Sequence, residues 1–115
     1  MIDDFSGYTI YLQPGPTDMR KQINGLAELA ENGMADDVFS KSLFLFCNHN
    51  RTRLKILYWD RNGFCLWMKR LENQRFPWPH RESDCTRIGY DELKMLLSGI
   101  DFFNAHKAME NYRVS

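Results

Sequence analysis

Apolar residues along this chain switch between two periods, and each switch marks an element. Tyr8 to Leu12 (YTIYL) alternates aromatic and β-branched residues, the period-two pattern of a short strand, which Pro14, Gly15 and Pro16 stop. A helix is expected next. Thr17 stands at an N-cap position, Asp18 is the acid favoured in a first turn, and Gly33 closes the pattern. Met19, Ile23, Leu26, Ala27 and Ala30 recur at spacings of three and four, which gives the helix one apolar face to lay on a sheet. Gly25 in its middle costs about 1 kcal/mol relative to alanine, which points to close approach by another element.

An acidic connection, Glu31 to Asp37, leads into three strand patterns: Leu43 to Cys47, Arg53 to Trp59 and Phe64 to Leu71. The links between them, NHNRT at 48–52 and DRNG at 60–63, are short and turn-forming, so the three predict an antiparallel meander. Leu54, Ile56 and Tyr58 fall on one face of the second pattern, with Arg53, Lys55, Leu57 and Trp59 on the other; in the third, Phe64, Leu66 and Met68 oppose Cys65, Trp67 and Lys69. One face is expected to be covered by the helix, and the face mixing cations with tryptophans to be a contact surface. Phe76-Pro77-Trp78-Pro79 is expected as an extended loop or sheet edge, since each proline removes a ladder donor. A second short helix opens at Tyr90 or Asp91, buries Leu93, Leu96 and Leu97, and ends at Gly99. The fold class is therefore α+β: an antiparallel meander of about four strands, one amphipathic helix packed on it, and a short C-terminal helix.

At 115 residues the chain is expected to be a single domain, 1–115, with a core over about 8–101 and a loosely ordered tail at 102–115. Hydrophobic residues at 43% suffice for one core and exclude the disordered class. Its longest apolar run, Leu43 to Cys47, is far below the roughly 18 residues of a membrane span, and the acids of MIDDFSGYTI do not suit a secretory signal. A cytoplasmic protein without membrane contact is expected. Three cysteines, Cys47, Cys65 and Cys85, form an odd set without close spacing and are expected as reduced thiols.

The zero net charge is a cancellation between segments. Residues 1–50 hold three Lys or Arg against seven Asp or Glu, whereas Arg51 to Arg87 holds nine against four. Cations set among aromatics suit a polyanion, because Lys and Arg neutralise phosphates and flat rings cover sugars or bases. Arg20 and Lys21 lie where a helix N-terminus already presents partial positive charge, so a phosphate there is one reading and outward-pointing solvated cations the other. Arg51, Arg53 and Lys55, with Asn48 and Asn50, flank a hairpin tip that either clamps a nucleic-acid backbone or is simply solvated. Arg61, Lys69, Arg70 and Arg75 complete the candidate DNA-binding set. Trp59, Trp67, Phe76 and Trp78 are candidates for protein contact, with core packing as the alternative.

Dedicated chemistry has little support. Cys47-Asn48-His49 offers a lone C-x-H pair, too little for zinc, so no metal or other cofactor is expected. Asp3, Asp4, Asp18 and Asp60 are scattered, and Cys65 has no adjacent histidine, so no catalytic residue is assigned and the chain is not expected to be an enzyme.

Five ordered segments carry a resemblance: GPTDMRK (Gly15 to Lys21), LKILYWDRNGFCLW (Leu54 to Trp67), KRLE (Lys69 to Glu72), RFPWP (Arg75 to Pro79) and LLSGID (Leu96 to Asp101). Together they resemble the accessory protein encoded by the second open reading frame of insertion-sequence family sixty-six, often called TnpB and distinct from the RNA-guided nucleases sharing that label. Gln22 and Asn24 stand where that family commonly has Gly and Asp, and Met68 where it usually has tyrosine. The resemblance implies a small cytoplasmic bacterial protein that works beside a separate, larger transposase, and no established catalytic residues. The function expected is a non-catalytic accessory role in DNA transposition, through DNA, the transposase of the same element, or both. The alternative is a protein-interaction module with no direct DNA contact. Nothing in the pattern speaks to oligomeric state.

Overall fold

In a computed structural model that describes residues 4–80 and 86–100, five strands form one sheet. They are β1 (Thr9–Pro16), β2 (Ser42–Cys47), β3 (Arg53–Asp60), β4 (Gly63–Arg70) and β5 (Thr86–Ile88), in the order β4-β3-β2-β1-β5. Two helices, α1 (Ile23–Gly33) and α2 (Tyr90–Leu97), complete the α+β fold that the pattern predicts. The meander β2-β3-β4 is antiparallel throughout, with Asp60 paired to Gly63 at one end of the β3-β4 hairpin and Arg53 to Arg70 at the other.

The sheet has one strand more than expected and is mixed. β1 and β2 run parallel, because the chain returns through α1 between them, the crossover that parallel neighbours require. β5 adds antiparallel to the free side of β1, pairing Ile10 with Ile88. Nor does β1 stop at its prolines: its register with β2 jumps between Leu12 and Pro16, and this irregularity lets Pro14 and Pro16 stay in the strand.

Both faces of the sheet are covered, so the mixed face expected to stand open does not. β2 is central and buried along its whole length. Its side chains alternate between two cores: Leu43, Leu45 and Cys47 join Leu54, Ile56, Phe76, Leu93 and Leu96 on the α2 side, while Phe44 and Phe46 join Leu57, Leu26 and Ala30 on the α1 side. Leu26 and Ile56 therefore belong to different cores, contrary to the expectation of a single one. α2 is capped by Gly89, whose N–H donates to Glu92 Oε1 at 2.8 Å, and is followed by Gly99, whose φ of 78° suits the left-handed turn after a helix.

α1 begins five residues later than expected. Thr17 donates its backbone N–H to the Cys47 carbonyl at 2.7 Å and is buried beside β2 rather than capping a helix. Asp18 accepts from the Arg20 backbone N–H at 2.9 Å and from the Arg20 guanidinium, closing a separate turn; the cap position falls to Gln22. That turn explains Gly25. A Cβ at Gly25 would lie 3.3 Å from Cβ and Cγ of Lys21, so the element approaching the helix is the turn just before it. Cys85 and the tail at 102–115 lie outside the described residues.

Candidate functional site

Three segments meet at the end of the sheet where Arg53 faces Arg70. The first is the end of β1, Gln13 to Thr17; the second is the β2-β3 turn, Asn48 to Thr52; the third is the stretch Leu71 to His80 that follows β4. Backbone hydrogen bonds tie them together: Thr17 N to Cys47 O, Leu71 N to Thr52 O at 2.8 Å, Phe76 N to Arg51 O at 2.7 Å and Gly15 N to Pro79 O at 3.0 Å. Trp78 adds its indole N–H to the Gln13 carbonyl at 2.9 Å. Gly15 has a φ of 72°, a conformation that a residue with a Cβ adopts only at a cost, so the close passage of β1 beside Pro79 depends on this glycine.

The β2-β3 turn is held by one side chain. Asn48 Oδ1 accepts from the N–H groups of Thr52 and Arg53 at 2.9 and 3.0 Å, and Asn48 Nδ2 donates to Thr52 Oγ1. Within that frame Arg51 sits in the left-handed region at φ 61°, which costs a residue with a Cβ about 1 kcal/mol or more. The turn thus holds a strained arginine, with its side chain exposed at the tip.

This end gathers most of the candidate cations. Arg51, Arg53, Arg70 and Arg75 are exposed around it, and Arg53 and Arg70 are direct cross-strand partners, a like-charge placement that is locally unfavourable. Arg20 and Lys21 stand on the neighbouring turn. Two acids temper the charge: Asp18 pairs with Arg20 at 2.8 Å and Glu72 with Arg70 at 3.0 Å. The Arg20 hydrogen bonds hold the Asp18 carboxyl down at about 2. Among the described residues no ion pair involves Arg51, Arg53 or Arg75.

Three of the candidate cations are elsewhere. Lys55 is 4% exposed, and its ammonium donates to the carbonyls of Met19 and Lys21 at 2.8 and 2.9 Å. It fastens the turn before α1 to the sheet and is withdrawn from any solvent-facing set; burial, then the charge of Arg53, lowers its pKa. Lys69 points to the other face and donates to the Leu97 carbonyl at the end of α2. Arg61 occupies the far turn beside Asp60, about 23 Å along the hairpin at roughly 3.3 Å per residue.

The four aromatic candidates do not form one patch. Phe76 is fully buried in the α2-side core, so it is structural and not a contact anchor. Trp67 packs half-buried on that same core, whereas Trp59 meets Phe39 and Phe64 edge-to-face at 4.8 and 5.0 Å near the far turn. Only Trp78 among them belongs to the cationic end, where it lines a cleft of about 440 Å³ with Gly15, Pro16, Asn48, His49, Arg51, Pro79 and His80. His49 and His80 were not foreseen as members. Their signal in the sequence is position alone: one sits inside NHNRT, and the other directly follows FPWP.

Burial pushes the Cys47 thiol up to about 12, so it stays protonated beneath the site. Among the described residues no group of three or more His, Cys, Asp or Glu is placed to hold a metal ion, and no helix is long and apolar enough to cross a membrane.

Two segments of this end, GPTDMRK and RFPWP, belong to the family resemblance, and comparison with known proteins bears it out. Residues 8–107 match the family described as IS66 Orf2 like protein. The chain belongs to that family. Membership supports an accessory role in transposition. Similar curated proteins include the uncharacterized protein y4hO of Sinorhizobium fredii (strain NBRC 101917 / NGR234), 32% identical over 102 residues and covering 89% of each chain. The uncharacterized protein y4jC of the same strain is 29% identical over 102 residues, covering 89% of this chain and 87% of its own. No solved structure matches.

Proposed function

We propose that this member of the IS66 Orf2-like family is a non-catalytic, cytoplasmic accessory factor that binds DNA through the cationic end of its sheet and assists the transposase of the same element. One observation carries the DNA reading: Arg51, Arg53, Arg70 and Arg75, spread over 25 residues of sequence, are brought to one end with like charges opposed across the strands. Such a cluster is unfavourable alone and is relieved by a polyanion, whose phosphates exchange small counterions for these side chains. Arg20 and Lys21 extend the same surface. Arg61 and Lys69 lie off it, and Lys55 supports it from beneath.

The test is an electrophoretic shift of element-end DNA with this protein alone, with the transposase alone and with both, at several salt concentrations. Binding by the protein alone that weakens steeply with salt supports the reading. A complex that forms only with the transposase and ignores salt would instead favour a protein-interaction module. One feature favours that second reading: Phe39, 54% exposed, stands with Trp59 and Phe64 at the opposite end and offers an apolar contact.

A further inference from the structure

The cleft beside Arg51 has a composition unlike the rest of the cationic end. Its lining combines flat apolar surface, from Pro16, Pro79 and Trp78, with the polar heads of His49, His80 and Arg51, and among the described residues it includes no carboxylate. The Trp78 indole N–H is already spent on the Gln13 carbonyl, so what this side chain offers the cleft is ring carbon surface. The Asn48 oxygen is likewise committed, to the N–H groups of Thr52 and Arg53, and one of its two amide N–H donors to Thr52 Oγ1. What is left to recognise a ligand is an aromatic face, two imidazoles, a guanidinium and one amide N–H. That combination suits a molecule with a flat ring at one end and an anionic group at the other. A volume of about 440 Å³ falls within the roughly 300–1,000 Å³ of small-ligand sites, and is far too small to take in a duplex.

We infer that this cleft receives one unpaired nucleotide of a DNA strand, its base against Trp78 and its phosphate among Arg51, His49 and His80. The inference rests on the proposed DNA binding and adds to it a preference for strand ends or unpaired segments over continuous duplex. Stacking on an aromatic ring tolerates any base, and it needs the base to be out of the double helix. The surrounding arginines would hold the adjoining backbone, so duplex and unpaired nucleotide engage neighbouring parts of one surface. The cleft is also firmly built. Both sides of it are tied by the Gly15–Pro79 and Phe76–Arg51 backbone bonds, so it offers a preformed shape to the nucleotide.

The experiment compares the full chain bound to a blunt duplex and to the same duplex bearing a short unpaired extension. The extended duplex should bind about five- to 150-fold tighter, the range that stacking of one base provides. Trp78→Ala should remove this difference, while Trp78→Phe, which keeps a ring, should retain much of it. Because Trp78 also braces β1, the double variant His49→Ala/His80→Ala, altering two exposed side chains, provides a second arm: it should narrow the difference between extended and blunt duplex and leave the thermal midpoint unchanged. Equal binding of blunt and extended duplexes would overturn the inference and leave DNA binding intact. No binding of either form would remove both. Free deoxynucleotide monophosphate that competes as well as the extended strand would mark a mononucleotide site and also overturn the strand-end assignment.

Discussion

The two ends of the β3-β4 hairpin are made from the same pair of strands and settle their side chains in opposite ways. At the Asp60–Gly63 end, Trp59, Phe39 and Phe64 contact one another edge-to-face or tilted, and Arg61 has Asp60 beside it. These groups are partnered within the chain, although Phe39 stays 54% exposed. At the Arg53–Arg70 end, two arginines oppose each other and the acids within reach are fewer than the cations, while left-handed backbone is common to both ends, at Arg51 (φ 61°) and Arg61 (φ 50°). Self-satisfaction marks structure, and its absence marks a surface that is completed by something else. For this reason the cationic end, rather than the more conspicuous tryptophans, carries the functional proposal.

The largest effect expected from a single change falls on the support of that end. Phe76→Ala should cost about 3–5 kcal/mol, because its fully buried ring would leave a cavity in the α2-side core. Chemical denaturation measures it. A loss below about 0.5 kcal/mol would mean that the FPWP segment is not part of the core. Lys55→Met comes next, at about 1.5–3 kcal/mol, since it leaves the Met19 and Lys21 carbonyls without a charged donor. If Lys55→Met instead preserves stability and weakens DNA binding as much as loss of an exposed arginine does, the lysine is a contact and its burial is not its role.

The third change separates the ends directly. Arg51→Ala/Arg53→Ala should lower duplex affinity about tenfold at moderate salt and flatten the logarithmic salt slope by about 2 units, one per lost phosphate contact. The thermal midpoint should scarcely move. Arg61→Ala and Trp59→Ala, at the other end, should leave the slope unchanged, and an equal loss from either set would erase the distinction between the two ends. A fourth, smaller effect tests strain against charge. Arg51→Gly should relieve the left-handed backbone and leave stability unchanged or raise it by up to about 1 kcal/mol, while weakening DNA binding as alanine does. A less stable glycine variant would show that the arginine side chain holds the turn together.

Much of this contrast was legible in the sequence, and the parts that were not share a cause. The meander followed from alternation and from NHNRT and DRNG, because local periodicity and turn chemistry act over a few residues. The parallel pairing of β1 with β2 did not, since it depends on where the crossover helix packs. An uninterrupted apolar run from Leu43 to Cys47 was a sign of burial on both faces, yet half-polar β3 argued for an open one. Lys55 shows why that argument failed: a lysine in the α1-side core finds two carbonyl acceptors from a turn 34 and 36 residues away, a tertiary solution that no local pattern encodes. Thr17 and Asp18 looked like a helix start because the same residue types build caps and free-standing turns, and only the Arg20 partner distinguishes them. The cations were identified as a set from composition. Their division into a clustered end, a far turn and a buried post required the register.

The smallest expected effect concerns Asp18, which restrains the cationic end by holding Arg20. Its carboxyl is lowered from 3.8 to about 2, first by the Arg20 side-chain hydrogen bonds and then by the Arg20 backbone N–H. An acid whose pKa is lower folded than unfolded binds fewer protons in the folded state. Its stabilising contribution is therefore fully present above about pH 4 and is lost as pH falls through about 2. A carbon-detected NMR titration of the Asp18 carboxyl should give a midpoint near 2, whereas a midpoint at 3.8 would show that the pairing with Arg20 does not persist in solution. Asp18→Asn tests the same pair at neutral pH. Removing the carboxylate frees Arg20 and adds one unit of positive charge to the cationic end, so duplex affinity should rise slightly at low salt and the gain should fade as salt screens it. A fall in affinity would mean that Asp18 is needed to aim Arg20, which would make the pair part of the binding surface rather than a brake on it.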